Sequence, residues 1–218
     1  TLVDHYPMYQ LQPLPSGLRI LTTPVAGTDS ITVLVLAKAG SRYETQAERG
    51  VSHFLEHMFF KGGKRYPTPK DVSAAIDGVG GAFNAFTGKE YAGYYVKVRS
   101  EFVATACDVL SDMMLSAVFP PDDIERERGV ILEEERMYQD TTMYRAGWDF
   151  EQLLYGDHPL GWDTIGTPEV IRTLTQDDFR RHQRALYGPS RCLVVFAGNI
   201  TADRAQELGT GAFGALGG

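Results

Sequence analysis

With 218 residues, 43% of them hydrophobic, the chain has ample material for a buried core and reads as a globular protein. Its 28 acids and 21 bases leave a net charge of -7 with no long basic block, which excludes a nucleic-acid or anionic-membrane surface as the main partner. No apolar run approaches the length of a membrane span, and no charged start with an apolar core opens the chain, so the expectation is a soluble protein with the cytoplasm as default compartment. Because it begins at Thr1 rather than methionine, a removed leader or a longer parent protein stays open.

Residues 9–14 and 18–23 predict two short strands around a Pro15-Ser16-Gly17 turn, and 30–39, SITVLVLAKA, is a β-branched run suited to a central strand. A polar loop, GSRYETQAE, then leads into a helix expected from about Ala47 and ended by Gly62-Gly63. That helix carries VSHFLEHMFF, which sets His53, Glu56 and His57 inside an apolar run. Two imidazoles and a carboxylate are costly to bury for packing alone. On a helix His53 and His57 are i and i+4, about 40° apart on the wheel, so their rings can converge on one metal ion. Glu56 lies near enough to the same face to reach a water on that ion without being a ligand. The pattern is H-x-x-E-H, the inverse of the H-E-x-x-H zinc peptidase signature. A chance pair of half-buried surface histidines is the plain alternative, and Glu56, sitting where a general base must sit, argues against it.

Thr68-Pro69 starts a second helix with Val72, Ile76 and Val79 on one face. GVGGAFNAFT at 78–87 is a glycine turn opening into a short strand, and 91–99 alternates as another strand. Residues 101–117 predict a helix with Val103, Ala106, Leu110, Met113 and Met114 inward, the methionines as core filling. Pro120-Pro121-Asp122 opens a charged helix reaching about Tyr138. Most of its charges suit a solvated face, but Ile124, Glu127, Ile131, Glu134 and Tyr138 follow 3-4-3-4 spacing and share one stripe. Two carboxylates on a core-facing stripe call for a cation. The competing stripe, Arg126, Val130, Glu133 and Met137, carries one acid, so periodicity favours Glu134 over Glu133 as a third ligand and leaves the choice open.

Further helices are predicted at 143–154, 168–174, 175–186 and from Thr201 onward, with a buried strand at 191–198 and a glycine-rich loop at 155–167. His158 in that loop has no second donor at metal spacing, and His5 and His182 have no visible partners. Cys107 and Cys192 lack any C-x-x-C spacing and are expected as buried packing residues, with a disulfide between them left open. The order of elements implies an α+β fold, a mixed or antiparallel sheet with helices mainly on one side.

GSRYE at 40–44, HFLEHMFFKG at 53–62, GGAFNAFT at 80–87, ERERGVILEE at 125–134, IGTPEVI at 165–171 and VVFAGNI at 194–200 are together specific. On them the chain resembles, over nearly all its length, the M16 family of zinc peptidases, the pitrilysin and insulin-degrading enzyme type, in its M16B form. The resemblance implies one zinc ion held by His53, His57 and Glu134, Glu56 as catalytic base, and Glu127 as a group that orients a ligand. It implies that a short strand, Ala82, Phe83, Asn84 and Ala85, adds to an extended peptide substrate, with Asn84 touching substrate backbone. It also implies a clamshell of two related halves, of which residues 1–218 would be the zinc-binding one, completed by a second half or subunit. The expected activity is endopeptidase cleavage of unfolded peptides. A non-catalytic assembly subunit is the alternative, set against by the intact acidic and imidazole positions. The family has cytoplasmic, periplasmic and organellar members, so the compartment stays open.

Overall fold

The computed structural model describes residues 9–216, so His5 lies outside the described residues. Six strands, β1 (Gln10–Pro13), β2 (Arg19–Pro24), β3 (Ser30–Ala37), β4 (Ala82–Thr87), β5 (Ala92–Arg99) and β6 (Cys192–Gly198), form one sheet in the order β1-β2-β6-β3-β5-β4. β2 and β6 run parallel and every other neighbouring pair antiparallel, so the sheet is mixed, as expected. Alternation sets the faces: Ile31, Val33, Val35 and Ala37 of β3, with Val194 and Phe196 of β6, are buried, while the residues between them are half-buried. In register, Val33 sits opposite Val96 of β5 on one side and Phe196 on the other, a row of apolar side chains across the centre.

Among the described residues eight α-helices accompany the sheet: α1 (Val51–Phe59), α2 (Pro69–Asp77), α3 (Val103–Leu115), α4 (Pro121–Asp140), α5 (Thr142–Tyr155), α6 (Pro168–Ile171), α7 (Gln176–Leu186) and α8 (Ala202–Phe213). Thr68 and Thr175 cap α2 and α7 in capping boxes with Asp71 and Asp178. α3 packs on β5 and β3, α8 on β2, and α1 on α4, α7 and β4, so α1 lies between the sheet and the long charged helix. The inward residues expected of α3 are all buried.

Where α1 begins differs from the sequence expectation. Gln46–Glu48 forms a separate 3-10 turn, and the α-helix starts at Val51 because Gly50 sits in the left-handed region at φ 92°. A side chain on Gly50 would come within 2.4 Å of the Ile165 carbonyl oxygen, so this close approach requires glycine. At the other end the helix stops at Phe59, before Gly62-Gly63. Both cysteines are buried free thiols, and no disulfide joins them. Among the described residues no helix is long and apolar enough to cross a membrane.

Candidate metal centre

The apolar positions of α1 orient it. Val51, Phe54, Leu55, Met58 and Phe59 are buried, and Phe54 and Phe59 meet Phe179 and Tyr94 edge to face at 4.8 and 5.1 Å. Burial of each large side chain contributes roughly 1.5–3 kcal/mol, enough to hold His53, Glu56 and His57 half-buried on the opposite stripe. The N-terminus is fixed by a residue in the loop just before it. The Glu44 carboxylate accepts the amides of Gly50 and Ser52, both at 2.8 Å, and burial pushes its pKa up to about 7 against these hydrogen bonds. Ser52 also hydrogen-bonds His182 Nε2 at 3.0 Å; His182 is thus a core histidine, its pKa lowered by burial to about 4.

α4 brings the third donor. Glu134 Oε2 stands 3.8 Å from His53 Nε2 and 3.6 Å from His57 Nε2, and one ligand atom from each residue lies within 4.8 Å of the others. Two ligands of a tetrahedral zinc at about 2.0–2.1 Å lie about 3.4 Å apart, so the gap suits an ion in place of direct ion pairing. The donor set fits as well: burial holds His53 neutral, its pKa lowered to about 3, which leaves an imidazole lone pair free. Among the described residues this is the one His, Cys, Asp or Glu trio so arranged. Glu133, by contrast, is 72% exposed where Glu134 is 23% exposed, and it pairs with Arg136. Packing thus sets Glu134, and not Glu133, beside the two histidines.

His57, Glu134 and the adjacent Glu56 are each held by a neighbour. Glu127 is buried, and its Oε2 lies 3.1 Å from His57 Nδ1 while its Oε1 meets Lys61 Nζ at 2.6 Å. In the tautomer protonated at Nδ1, His57 donates to Glu127 and turns the Nε2 lone pair toward Glu134. Tyr138 donates to Glu134 Oε1 at 2.9 Å, and Thr87 donates to Glu56 Oε2 at 2.5 Å. Desolvation raises the pKa of Glu56, partly offset by the Thr87 hydrogen bond and by His57. Sequence reasoning did not single out Lys61 or Thr87, and placed Tyr138 on the stripe without a role. Lys61 is four residues after His57 and Thr87 closes GGAFNAFT, but neither spacing says which atom the side chain meets.

His53, Glu56, His57 and Glu134 open into a cleft of about 380 Å³ whose other walls include Ala85, Phe86, Tyr144, Trp148 and Ile165. Among the described residues β4 borders it and pairs only with β5, leaving its outer edge free. Of the four strand residues expected to face substrate, Ala82 and Asn84 are exposed and Phe83 and Ala85 half-buried. Asn84 Oδ1 accepts the Ala85 amide at 2.8 Å. His158 accepts the Leu160 amide and takes no part in the cluster, as its position suggested.

The mixed sheet and a two-histidine, one-carboxylate cleft beside its free edge are features of the metalloprotease class. More particularly, the insulinase model, peptidase family M16, matches residues 19–162, and the chain belongs to that family. It is 40% identical over 200 residues to an uncharacterised zinc protease of Streptomyces coelicolor, covering 92% of this chain and 43% of that protein. Among solved structures it is similar to a protease from Helicobacter pylori, with TM-score 0.91 and 27% identity over 96% of this chain and 51% of the other. It is also similar to the first half of a periplasmic protease from Escherichia coli, with TM-score 0.86 and 26% identity over 95% of this chain and 46% of that one. The chain spans less than half the length of the curated relatives it matches.

Proposed function

We propose that this chain is the zinc-binding half of an M16-type endopeptidase that cleaves unfolded peptides, residues 1–218 acting as one unit completed by a second, related half. The observation that carries this reading is the convergence of His53, His57 and Glu134 on a space bordered by Glu56. His53, His57 and Glu134 would hold one zinc ion. Zinc, when bound there, supplies a Lewis acid that polarises a carbonyl and lowers the pKa of water to about 7.

Glu56 takes a proton from the attacking water and passes it to the leaving amine, so the carboxylate ends the cycle as it began. Burial favours this use, because a raised pKa brings the base closer to the operating pH. Glu127, braced by Lys61, orients His57. An extended peptide adds to the free edge of β4, with Asn84 beside its backbone, in the manner of an added strand. In this reading a second half closes over the cleft and grips substrate. A non-catalytic assembly role would leave the trio without a task.

Glu56→Gln tests the reading, since the amide keeps the shape and removes the base. The protein should retain one equivalent of zinc by elemental analysis while peptide cleavage falls by about 10²–10⁴-fold. Cleavage at the wild-type rate would rule the mechanism out.

A further inference from the structure

Among the described residues the Glu56 carboxylate receives one protein hydrogen bond, from the Thr87 hydroxyl at 2.5 Å. Thr87 is the last residue of β4, opposite Ala92 of β5, at the point where the free strand edge reaches the cleft. On the pleat it shares a half-buried face with Phe83 and Ala85, the face toward α1, where Phe83 meets Phe60 at 5.5 Å. The hydroxyl is thus aimed at the base by strand register and by the packing of β4 on α1.

A hydrogen bond to a charged group is comparable in strength to the rotamer freedom a glutamate side chain gives up when it is fixed, so a single donor can select one carboxylate orientation. The Thr87 hydroxyl gives its proton to the Glu56 hydrogen bond, so the effect expected of it passes through Glu56. An ordinary strand-end threonine would matter only through its β-branched shape. Valine keeps that shape and removes the donor; serine does the reverse.

We propose that Thr87 is the positioning residue for the Glu56 base, holding the carboxylate in the orientation from which it takes the proton of water. The inference rests on the peptidase reading above. The zinc-loaded protein at its full natural length is assayed on a quenched fluorescent peptide of mixed, unstructured sequence. Thr87→Val should lower kcat by about 10–100-fold, the scale of a misplaced catalytic group. KM and zinc content should stay within about twofold of wild type, and Thr87→Ser should return kcat to within about threefold. Thr87→Ala, which adds no bulk, gives the same reading should valine disturb the packing. The role is overturned if both donor-free variants keep wild-type kcat, if the loss lies in KM or zinc content, or if the serine variant is as slow as the valine one. Glu56→Gln measured alongside separates the claims: an active Glu56→Gln sinks the peptidase reading itself, whereas a slow Glu56→Gln beside a fast Thr87→Val sinks only the role of Thr87.

Discussion

The molecule has two prominent cavities of opposite character. The larger, about 650 Å³, lies between the loop after α1 and the helices α3 and α8, and is lined by Arg65, Asp108, Ser111, Asp112 and Glu207. Its acids are already satisfied by the protein. Asp112 accepts the amides of Arg65 and Tyr66 at 2.9 and 3.0 Å, Asp108 pairs with Arg65 and accepts from Tyr66 Oη at 2.9 Å, and Glu207 pairs with Arg204. In the smaller cleft, Glu134 Oε2 stands 3.8 and 3.6 Å from the Nε2 atoms of His53 and His57. Size therefore points to one place and converging ligand atoms to the other. A buried polar group without a partner costs free energy, and a fold keeps such groups together where a ligand removes that cost.

Removing a donor from the smaller cleft should have the largest effect. His57→Ala or Glu134→Gln would leave two of the three proposed ligands, and zinc bound at neutral pH should drop by at least about 10³-fold, measured by competition with a chromogenic chelator. Next, Glu127→Gln should weaken zinc binding by about 10–100-fold, because His57 loses a charged acceptor and Lys61 loses its counter-ion. A Glu127→Gln protein with unchanged affinity would reduce that residue to packing. The smallest effect belongs to the larger cavity: Asp112→Ala should cost about 1–3 kcal/mol of stability in urea unfolding, since two amides lose their acceptor. Zinc affinity and turnover should not move with it. If instead Asp112→Ala abolished zinc binding and Glu127→Gln spared it, the contrast between the two cavities would be reversed.

Much of the smaller cleft was legible beforehand because a helix has a fixed period. The 3-4-3-4 stripe of α4 placed Glu127 and Glu134 on the inward face, and the structure buries Ile124, Glu127 and Ile131 while leaving Val130 and Met137 on the rival stripe exposed. For β3 and β6 the sequence marked a central and a buried strand, and the pleat then divides their residues between two faces. Thr87, Lys61 and Glu44 were not legible in this way. Each acts on an atom distant in the chain or at a helix end, and no period links Thr87 to Glu56 or Glu44 to the amide of Gly50. Sequence also placed the onset of α1 about one turn early. Helix propensity continues through Gln46–Glu48, whereas the contact between Gly50 and the Ile165 carbonyl, formed only on folding, forces the break.

By itself, then, the sequence determined which side chains share a face: His53 with His57, Glu127 with Glu134, and the apolar rows of the sheet. Those relations follow from local backbone geometry, which repeats every few residues. Tertiary structure decided which faces meet, bringing Glu134 of α4 to 3.6 Å from His57 of α1 and the hydroxyl of Thr87 to the carboxylate of Glu56. Such meetings depend on how whole elements pack to bury their apolar sides, a sum over many weak contacts that no single stretch of chain contains.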